Sequence, residues 1–279
     1  MGKQTRSFSK RKHQHFIDTV WRYYKEHQRT SLPWRQTDDP YRVVVSELML
    51  QQTQVIRVIP KYRAFLQQFP NTKQLAQSSL AAVITAWQGL GYNRRAKLLH
   101  ECAQVVHSDY YGRWPRSVPL LEKLPGIGPY TASAVTAFAY NQPAVCVETN
   151  IRTAVIYHYF PKETEISEAA IRDVIRATLD MQHPREWYWA LMDYGAHLKR
   201  TRGNFNRQAR SYTKQSRFAG SDREIRGAII RSLTTQPVVS LQQLVQAGFS
   251  GKRVQEQLRA LNEEGFIELI KKDSYQLRS

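Results

Sequence analysis

The stretch LEKLPGIGPYTASAV, residues 121–135, decides how this chain folds. Within it, Gly126 and Gly128 bracket one apolar residue, and Pro129 follows directly. Glycine permits backbone turns that other residues resist, and proline suits the first turn of a helix. The pattern therefore predicts a helix, a tight glycine hairpin and a second helix, whose outward N–H groups would bind phosphate without reading sequence. Taken alone, it is also compatible with an ordinary tight turn between helices.

Three stretches resemble a known family. LPGIGPYTA (124–132) is similar to the helix-hairpin-helix of the DNA glycosylase superfamily that includes endonuclease III and the MutY adenine glycosylases. Residues 32–70 resemble MutY far more closely than endonuclease III, and WQGLGYNRRAKLLH (87–100) agrees. The resemblance covers roughly residues 15–200. It implies a helical domain whose active cleft lies between two lobes.

One expected catalytic group is Glu47, on a helix predicted from Tyr41 to Gln54. A carboxylate beside apolar residues is costly unless it is paired or protonated. From the residues alone, Glu47 would instead be an exposed side chain on the polar face of that helix. The resemblance makes it the general acid that protonates the departing base.

The second expected catalytic group is Glu148, which stands in VETN, where the family usually has aspartate. The resemblance implies that its carboxylate stabilises the sugar cation of glycosidic cleavage. A helix cap, which is the local interpretation of Glu148, is compatible with that role. Asn150 would orient water or hold the acid.

The resemblance also predicts residues that contact DNA before the hairpin. Gln51 and Gln52 would lie at the DNA, with one wedging near the flipped base. Tyr92 resembles the ring that MutY-like enzymes insert beside the mismatch, which offsets the cost of unstacking base steps. Arg94 and Arg95 suit phosphate contact. The alternatives are surface amides, a core tyrosine and solvated cations.

At the hairpin, the expected DNA-binding residues are Gly126, Gly128, Tyr130 and Thr131. Relatives that also nick the backbone carry a lysine nucleophile at the place of Tyr130, and that lysine forms an imine with the sugar. The tyrosine therefore predicts base removal only. Arg152 is expected either to contact phosphate or to have a structural role.

The composition points to a polyanionic partner. The 279 residues carry a formal charge of +18, and the pI is near 10.0. This balance favours nucleic acid, so double-stranded DNA with a mismatched or damaged base is the expected partner. A ribosome-like binder and a basic membrane-surface protein are the alternatives. No apolar run approaches the roughly 20 residues that span a bilayer. We therefore expect a cytoplasmic, nucleoid-associated protein without membrane contact, and we also expect a monomer.

Cysteine usage argues against a metal cofactor. Only Cys102 and Cys146 are present, far apart and in apolar helical contexts, which predicts buried thiols. Two cysteines exclude a four-cysteine iron–sulfur site or a Cys-rich zinc site. Most MutY-like enzymes carry a four-cysteine cluster just after residue 200, and this chain departs from them there. The expectation is that no metal or cofactor is needed.

The sequence after residue 203 departs from the family. Residues 204–220 are basic and predict either a linker or a DNA-contacting loop. Residues 221–279 follow a pattern of three helices and a hairpin that resembles a winged helix, whose third helix usually enters the major groove. Lys252 and Arg253 would then face DNA, with protein contact as the alternative. MutY enzymes normally carry a larger Nudix-like module here, which reads the 8-oxoguanine partner.

Together these observations predict an all-α protein, with a two-lobed helix-hairpin-helix domain over residues 1–203 and a winged-helix domain behind it. The expected function is that of a monofunctional DNA glycosylase in base excision repair, which removes flipped adenine opposite guanine or 8-oxoguanine. One alternative is another base, namely mismatched thymine, uracil or a modified cytosine. A second alternative is a non-catalytic DNA-binding regulator, although the presence of both Glu47 and Glu148 argues against it.

Overall fold

The computed structural model describes residues 8–278, and it is mostly helical. The predicted all-α class is confirmed, and a small sheet lies near the end of the described chain. The fourteen helices of the described residues are α1 (Lys10–His27), α2 (Pro40–Leu50), α3 (Val55–Gln68), α4 (Thr72–Ala76), α5 (Leu80–Ala86), α6 (Arg94–Ser108), α7 (Val118–Leu121), α8 (Pro129–Phe138), α9 (Thr149–Tyr159), α10 (Glu168–Thr178), α11 (Pro184–Thr201), α12 (Asp222–Thr235), α13 (Leu241–Gln246) and α14 (Gly251–Glu263).

The described chain divides into two compact units. The first unit comprises the described residues up to Val44, Arg116–Lys123 and Ile127–Lys214. The second unit comprises Val45–Pro115, Leu124–Gly126 and the described residues from Gln215 onward.

In the first unit, α11 is the central element and packs on α1, α8 and α9. Its buried face carries large apolar side chains such as Trp187, Tyr188 and Leu191. One buried ion pair joins α11 to the segment before α2: the Arg35 guanidinium donates through two nitrogens to the Asp193 carboxylate, at 2.8 Å each. A bidentate pair of this geometry satisfies both charges inside the protein.

In the second unit, α6 packs on α4 and α5, and α12 packs on α5 and α14. Short polar caps fix where the small helices begin: the side chains of Asn71 and Ser79 accept backbone N–H groups at the starts of α4 and α5. The second unit therefore contains the C-terminal helices as well as α3 to α6.

The C-terminal residues contain one strand more than the predicted hairpin. The strands are β1 (Val239–Ser240), β2 (Ile267–Lys271) and β3 (Ser274–Leu277), and β3 lies between the other two in an antiparallel sheet. The predicted third helix and hairpin are present as α14, β2 and β3. Two-residue β1 escaped prediction because a strand that short has no alternation to read.

The glycine hairpin has the predicted form. Helix α7 precedes the turn, Gly126 adopts a φ of +75°, and α8 starts at Pro129 with Gly128 as its N-cap. A Cβ on Gly126 would lie 2.7 Å from the Cβ of Leu98. Both the positive φ and the close approach therefore require glycine at this position.

Candidate functional site

Glu148 is held by the first turn of α9. It is the N-cap of that helix, and its Oε1 accepts hydrogen bonds from the backbone N–H groups of Asn150 (2.7 Å) and Ile151 (2.8 Å). The carboxylate therefore satisfies two donors that the helix start would otherwise leave unpaired. These two hydrogen bonds fix the position of the carboxylate relative to α9.

Opposing effects act on the protonation of Glu148. Burial is the largest effect, and it raises the pKa of the carboxyl above its ordinary value. The two backbone N–H groups lower that pKa in part, as do the cations Arg152 and Lys199. Some of the Glu148 surface is nevertheless exposed. A buried carboxyl that is held by a helix start suits a group that must meet a developing positive charge.

A close helix contact fixes the first turn of α9 from another direction. A Cβ on Gly195 of α11 would lie 1.9 Å from the carbonyl oxygen of Asn150. Because that distance is far inside van der Waals contact, only glycine fits here. Asn150 itself is half-buried, and the sequence expectation that it orients water or holds the acid stays a prediction.

Glu47 lies on α2 and belongs to the second unit. The residue is only 7% exposed, and its neighbours Ser46 and Leu48 are both 1% exposed. Burial of this carboxyl contradicts an exposed place on a polar helix face and agrees with the environment expected of a general acid. Glu148 belongs to the first unit, so the expected meeting of the two acids across a cleft stays a prediction.

Arg95 does not contact phosphate as expected, because its guanidinium lies inside the second unit. The residue is 8% exposed, and burial lowers its pKa to about 10. Its guanidinium also donates to the Thr53 hydroxyl. The guanidinium binds backbone carbonyls at the end of α2 and in the loop before α6, namely those of Leu48 (2.6 Å), Met49 (3.0 Å), Gln51 (2.6 Å), Leu90 (3.1 Å), Gly91 (2.9 Å) and Tyr92 (3.4 Å).

The guanidinium of Arg95 thus caps the C-terminal end of α2, where carbonyls lack helical partners. It joins the turn that contains Gln51 and Gln52 to the loop that contains Tyr92. Arg94, the preceding residue, is exposed and remains suited to phosphate contact.

Two residues expected at the DNA have unusual backbone conformations. Gln52 has a φ of +56° and Tyr92 a φ of +49°. Residues other than glycine rarely adopt this left-handed region, and such positions concentrate at functional sites. The helix that was predicted to reach Gln54 stops at Leu50, so Gln52 lies in the turn that follows α2. Gln51 is half-buried in the same turn.

The ring of Tyr92 is contacted by residues that the sequence did not single out. Its hydroxyl accepts hydrogen bonds from the Gln215 amide and the Arg223 guanidinium, and Arg223 also lies over the ring at 5.6 Å. The Gln215 amide donates to the Gln52 side chain at 3.1 Å. The segment that leads into α12 therefore touches both residues of the strained turn and loop. Tyr92 stays 36% exposed.

The hairpin residues differ in how accessible they are. Gly128 and Pro129 are exposed, and Tyr130 is half-buried. Thr131 is 2% exposed, so its side chain faces the interior of the first unit and is not available for DNA. The expectation that the Thr131 side chain binds DNA is therefore wrong, because the buried face of α8 already includes this residue.

Arg152 has intramolecular partners. Its guanidinium pairs with Glu168 at 3.2 Å and lies 3.4 Å from the amide oxygen of Asn206. The structural role that the sequence left open is therefore the one observed. Asn206 belongs to residues 204–220, and it is 3% exposed, so this part of the stretch is buried within the first unit.

The two residues expected to contact DNA in the C-terminal region differ in their exposure to solvent. Lys252 is exposed, whereas Arg253 is half-buried and pairs with Asp222 at 2.6 Å. Residues 221–279 contain nine Lys or Arg and seven Asp or Glu. Most of the positive charge of the chain therefore lies before residue 221.

The chain does not fit an iron–sulfur cluster. Cys102 and Cys146 are both buried, as expected, and neither follows residue 200. Burial raises the pKa of the Cys102 thiol to about 12, which disfavours the thiolate that binds metal. Within residues 8–278, no group of three or more His, Cys, Asp or Glu side chains is placed to hold a metal ion.

Comparison with known sequences identifies related proteins. A family model described as HhH-GPD superfamily base excision DNA repair protein matches residues 45–177. The chain is 37% identical over 238 residues to the adenine DNA glycosylase of Mycolicibacterium smegmatis, which covers 78% of this chain and 80% of that protein. It is 35% identical over 182 residues to the adenine DNA glycosylase of Buchnera aphidicola subsp. Baizongia pistaciae, covering 65% of this chain and 52% of that protein. The match therefore spans about half the length of the Buchnera relative.

Solved structures share the fold. A thermostable thymine-DNA glycosylase aligns with a TM-score of 0.60 and 26% identity, over 67% of this chain and 87% of that one. A non-covalent complex of endonuclease III with DNA aligns with a TM-score of 0.55 and 16% identity, over 70% and 87%. Among the described residues, no helix combines the length and apolarity needed to cross a membrane.

Proposed function

We propose that this chain, which belongs to the HhH-GPD superfamily of base excision DNA repair proteins, is an adenine DNA glycosylase. The observation that carries the proposal is Glu148: a carboxylate at the family's catalytic place caps α9 through two backbone N–H groups and remains partly exposed. Its relatives of 35–37% identity are adenine DNA glycosylases. The expected substrate is adenine opposite guanine or 8-oxoguanine in double-stranded DNA.

Each acid has one role in the proposed reaction. Glu47 gives a proton to the departing adenine, and the bond between the base and the sugar breaks. Glu148, in its ionised form, stabilises the positive charge that develops on the sugar. Water then adds to the sugar carbon and loses a proton to the Glu47 carboxylate, which restores that acid and leaves free adenine and an abasic site.

We propose that base removal is the whole reaction. Tyr130 stands where nicking relatives carry a lysine, and a phenol does not form an imine with the opened sugar. The strand should therefore stay intact until alkali or another enzyme cleaves the abasic site. No metal or cofactor is assigned to this reaction, since the protein groups supply the proton and the charge stabilisation.

The proposed DNA contacts follow from exposure and chemistry. Gly128 and Pro129 leave the start of α8 accessible to a phosphate. Tyr92 and Gln52 are accessible side chains on strained backbone, suited to fill the space left by a flipped base. Arg94 offers an exposed charge beside Tyr92 in the sequence.

A second candidate substrate is thymine opposite guanine. The similarity to a thymine-DNA glycosylase at 26% identity favours it, as does glutamate in place of the usual aspartate. The chemistry would be unchanged, and the pocket would accept a pyrimidine.

A panel of duplexes tests both candidates. Wild-type protein is incubated with A·G, A·8-oxoguanine, A·C, T·G and U·G duplexes, and abasic sites are scored by alkali cleavage. We expect product from A·G and A·8-oxoguanine, and a loss of roughly 100-fold or more in Glu47→Gln. The matched control is Glu256→Gln, which changes an exposed glutamate on α14. Product from T·G alone would identify thymine, and not adenine, as the base that is removed. Absence of product from every duplex would refute the enzymatic proposal.

A further inference from the structure

The position of the Glu148 carboxylate depends on the first turn of α9. Because its Oε1 is bound to the N–H groups of Asn150 and Ile151, the carboxylate moves whenever that turn moves. Gly195 supports the turn from α11, where the two backbones touch at Asn150. A second support comes from the segment that follows α11.

Asn206 provides that second support. Its Nδ2 donates to the carbonyl oxygen of Thr149 at 2.9 Å and to the hydroxyl oxygen of Thr153 at 2.7 Å. Thr153 in turn donates through its hydroxyl to the same Thr149 carbonyl at 2.8 Å. Thr149 is the first residue of α9 and directly follows Glu148. The three groups form a closed triangle of hydrogen bonds on the turn that carries the carboxylate.

The triangle is shielded from water and held in place. Asn206 is 3% exposed and Thr153 is fully buried, so solvent does not compete for these bonds. The segment around Asn206 is tied down at its other end, because Ile166 donates its N–H to the Gln208 carbonyl and accepts from the Arg210 N–H. Asn206 is therefore a hydrogen-bond donor in a fixed position, and it holds the first turn of α9 in place.

We infer that Asn206 is a positioning residue for catalysis, and that it sets the place of the Glu148 carboxylate by holding the first turn of α9. Asn206 lies in the segment where most MutY-like enzymes carry their four-cysteine cluster. In this chain the Asn206 side chain holds that segment to α9. The catalytic role of Glu148 is taken from the proposed function, whereas the contacts of Asn206 are observed in the structure.

The sequence offers matched variants for a test. Asn206→Ala removes the donor, and Asn206→Asp keeps the shape but places an acceptor against the Thr149 carbonyl. Thr153→Val removes the hydroxyl partner while keeping the buried volume, and Thr153→Ser restores the hydroxyl. Should the Asn206 variants not fold, the Thr153 pair tests the same triangle.

The experiment measures single-turnover adenine release from an A·8-oxoguanine duplex, and binding to the same duplex with a non-hydrolysable adenosine analogue. We expect Asn206→Ala and Thr153→Val to slow release roughly tenfold or more, since misplacement by a fraction of an ångström weakens charge stabilisation. Their dissociation constants should stay within about twofold of wild type, because the triangle touches no phosphate. Thr153→Ser should release adenine at nearly the wild-type rate.

The pH profile separates positioning from a merely structural role. Loosening the turn weakens the two N–H contacts that favour ionised Glu148, so the acid limb of release in Asn206→Ala should move to higher pH. Wild-type release rates in both Asn206→Ala and Thr153→Val, or an acid limb that does not move, would overturn the inference. Failure of wild type to release any base would instead refute the proposed function.

Discussion

At the scale of single residues, Glu148 combines a helix cap with a charge that the protein interior disfavours. Burial raises the pKa of this carboxyl, while the N–H groups of Asn150 and Ile151 support the ionised form. In the proposed reaction the ionised form is the active one. The rate therefore depends on how far these opposing effects leave the carboxyl ionised at the working pH.

The pH dependence of adenine release follows from that balance. Because the pKa is raised, a higher pH is needed to ionise Glu148, and the acid limb of the single-turnover rate should lie above 4.5, the ordinary glutamate value. The measurement is the release rate across pH at fixed ionic strength, with folding checked by circular dichroism. An acid limb below that value would contradict the account of Glu148.

Arg95 and Arg94 are neighbours in opposite environments, one buried and one exposed. Arg95→Met removes the guanidinium that binds six backbone carbonyls, so the free energy of unfolding should fall by about 2–5 kcal/mol. Arg94→Met, the matched control, changes an exposed side chain and should alter stability by no more than about 0.5 kcal/mol. Urea denaturation of both variants makes the comparison. Equal stability losses would show that the Arg95 contacts contribute little.

Sequence reasoning placed Glu148 correctly as a cap but misplaced Arg95. A carboxylate directly before a helix start is a local signal that survives without tertiary information. Two adjacent arginines carry no such signal, because only the packing of α6 on the rest of the second unit decides which one faces inward. Asn206 was missed for the same reason: its partners Thr149 and Thr153 are more than fifty residues away.

At the scale of elements, the turn after α2 and the loop before α6 form one supported surface. Arg95 binds both from inside, while Gln215 and Arg223 contact Gln52 and Tyr92 from the C-terminal segment. Arg95 supports the strained backbone at Gln52 and Tyr92, because it binds the carbonyls of Gln51, Gly91 and Tyr92. The element order was predictable from apolar spacing and glycines, whereas this support was not, since it joins segments distant in sequence.

Substitutions at Tyr92 distinguish the ring from its hydroxyl. Tyr92→Ala removes the surface on which a base would stack, so adenine release should slow roughly tenfold. Tyr92→Phe keeps the ring and loses only the hydrogen bonds of the hydroxyl with Gln215 and Arg223, so it should retain nearly wild-type release. Base flipping is followed by the fluorescence of 2-aminopurine placed beside the mismatch. Equal activity of wild type and Tyr92→Ala would remove Tyr92 from the DNA-contacting surface.

At the scale of the whole molecule, positive charge is unevenly distributed. The chain carries a net +18, yet residues 221–279 hold nine basic and seven acidic residues. We therefore expect a polyanion to make most of its charge contacts before residue 221. Arg223 of the C-terminal region contacts Tyr92, a residue expected at the DNA.

The salt dependence of DNA binding tests this distribution. Arg94→Gln should lower the slope of log affinity against log salt by about one, as expected for one lost phosphate contact. Lys252→Gln on α14 should leave the slope within experimental error of wild type. Fluorescence anisotropy with a mismatch duplex over a salt series gives both slopes. A decrease of about one in the salt slope of the Lys252 variant would favour the predicted entry of α14 into the major groove.

In the proposed function, Glu47 and Glu148 act on the same glycosidic bond. The most direct test of this claim is a double-mutant cycle on single-turnover adenine release from an A·8-oxoguanine duplex. Glu47→Gln and Glu148→Gln should each slow release by roughly 100-fold or more, and the double variant should be little slower than the slower single variant, because groups that act as a unit are not additive. Losses that multiply in the double variant, or a single variant that releases adenine at the wild-type rate, would contradict the account.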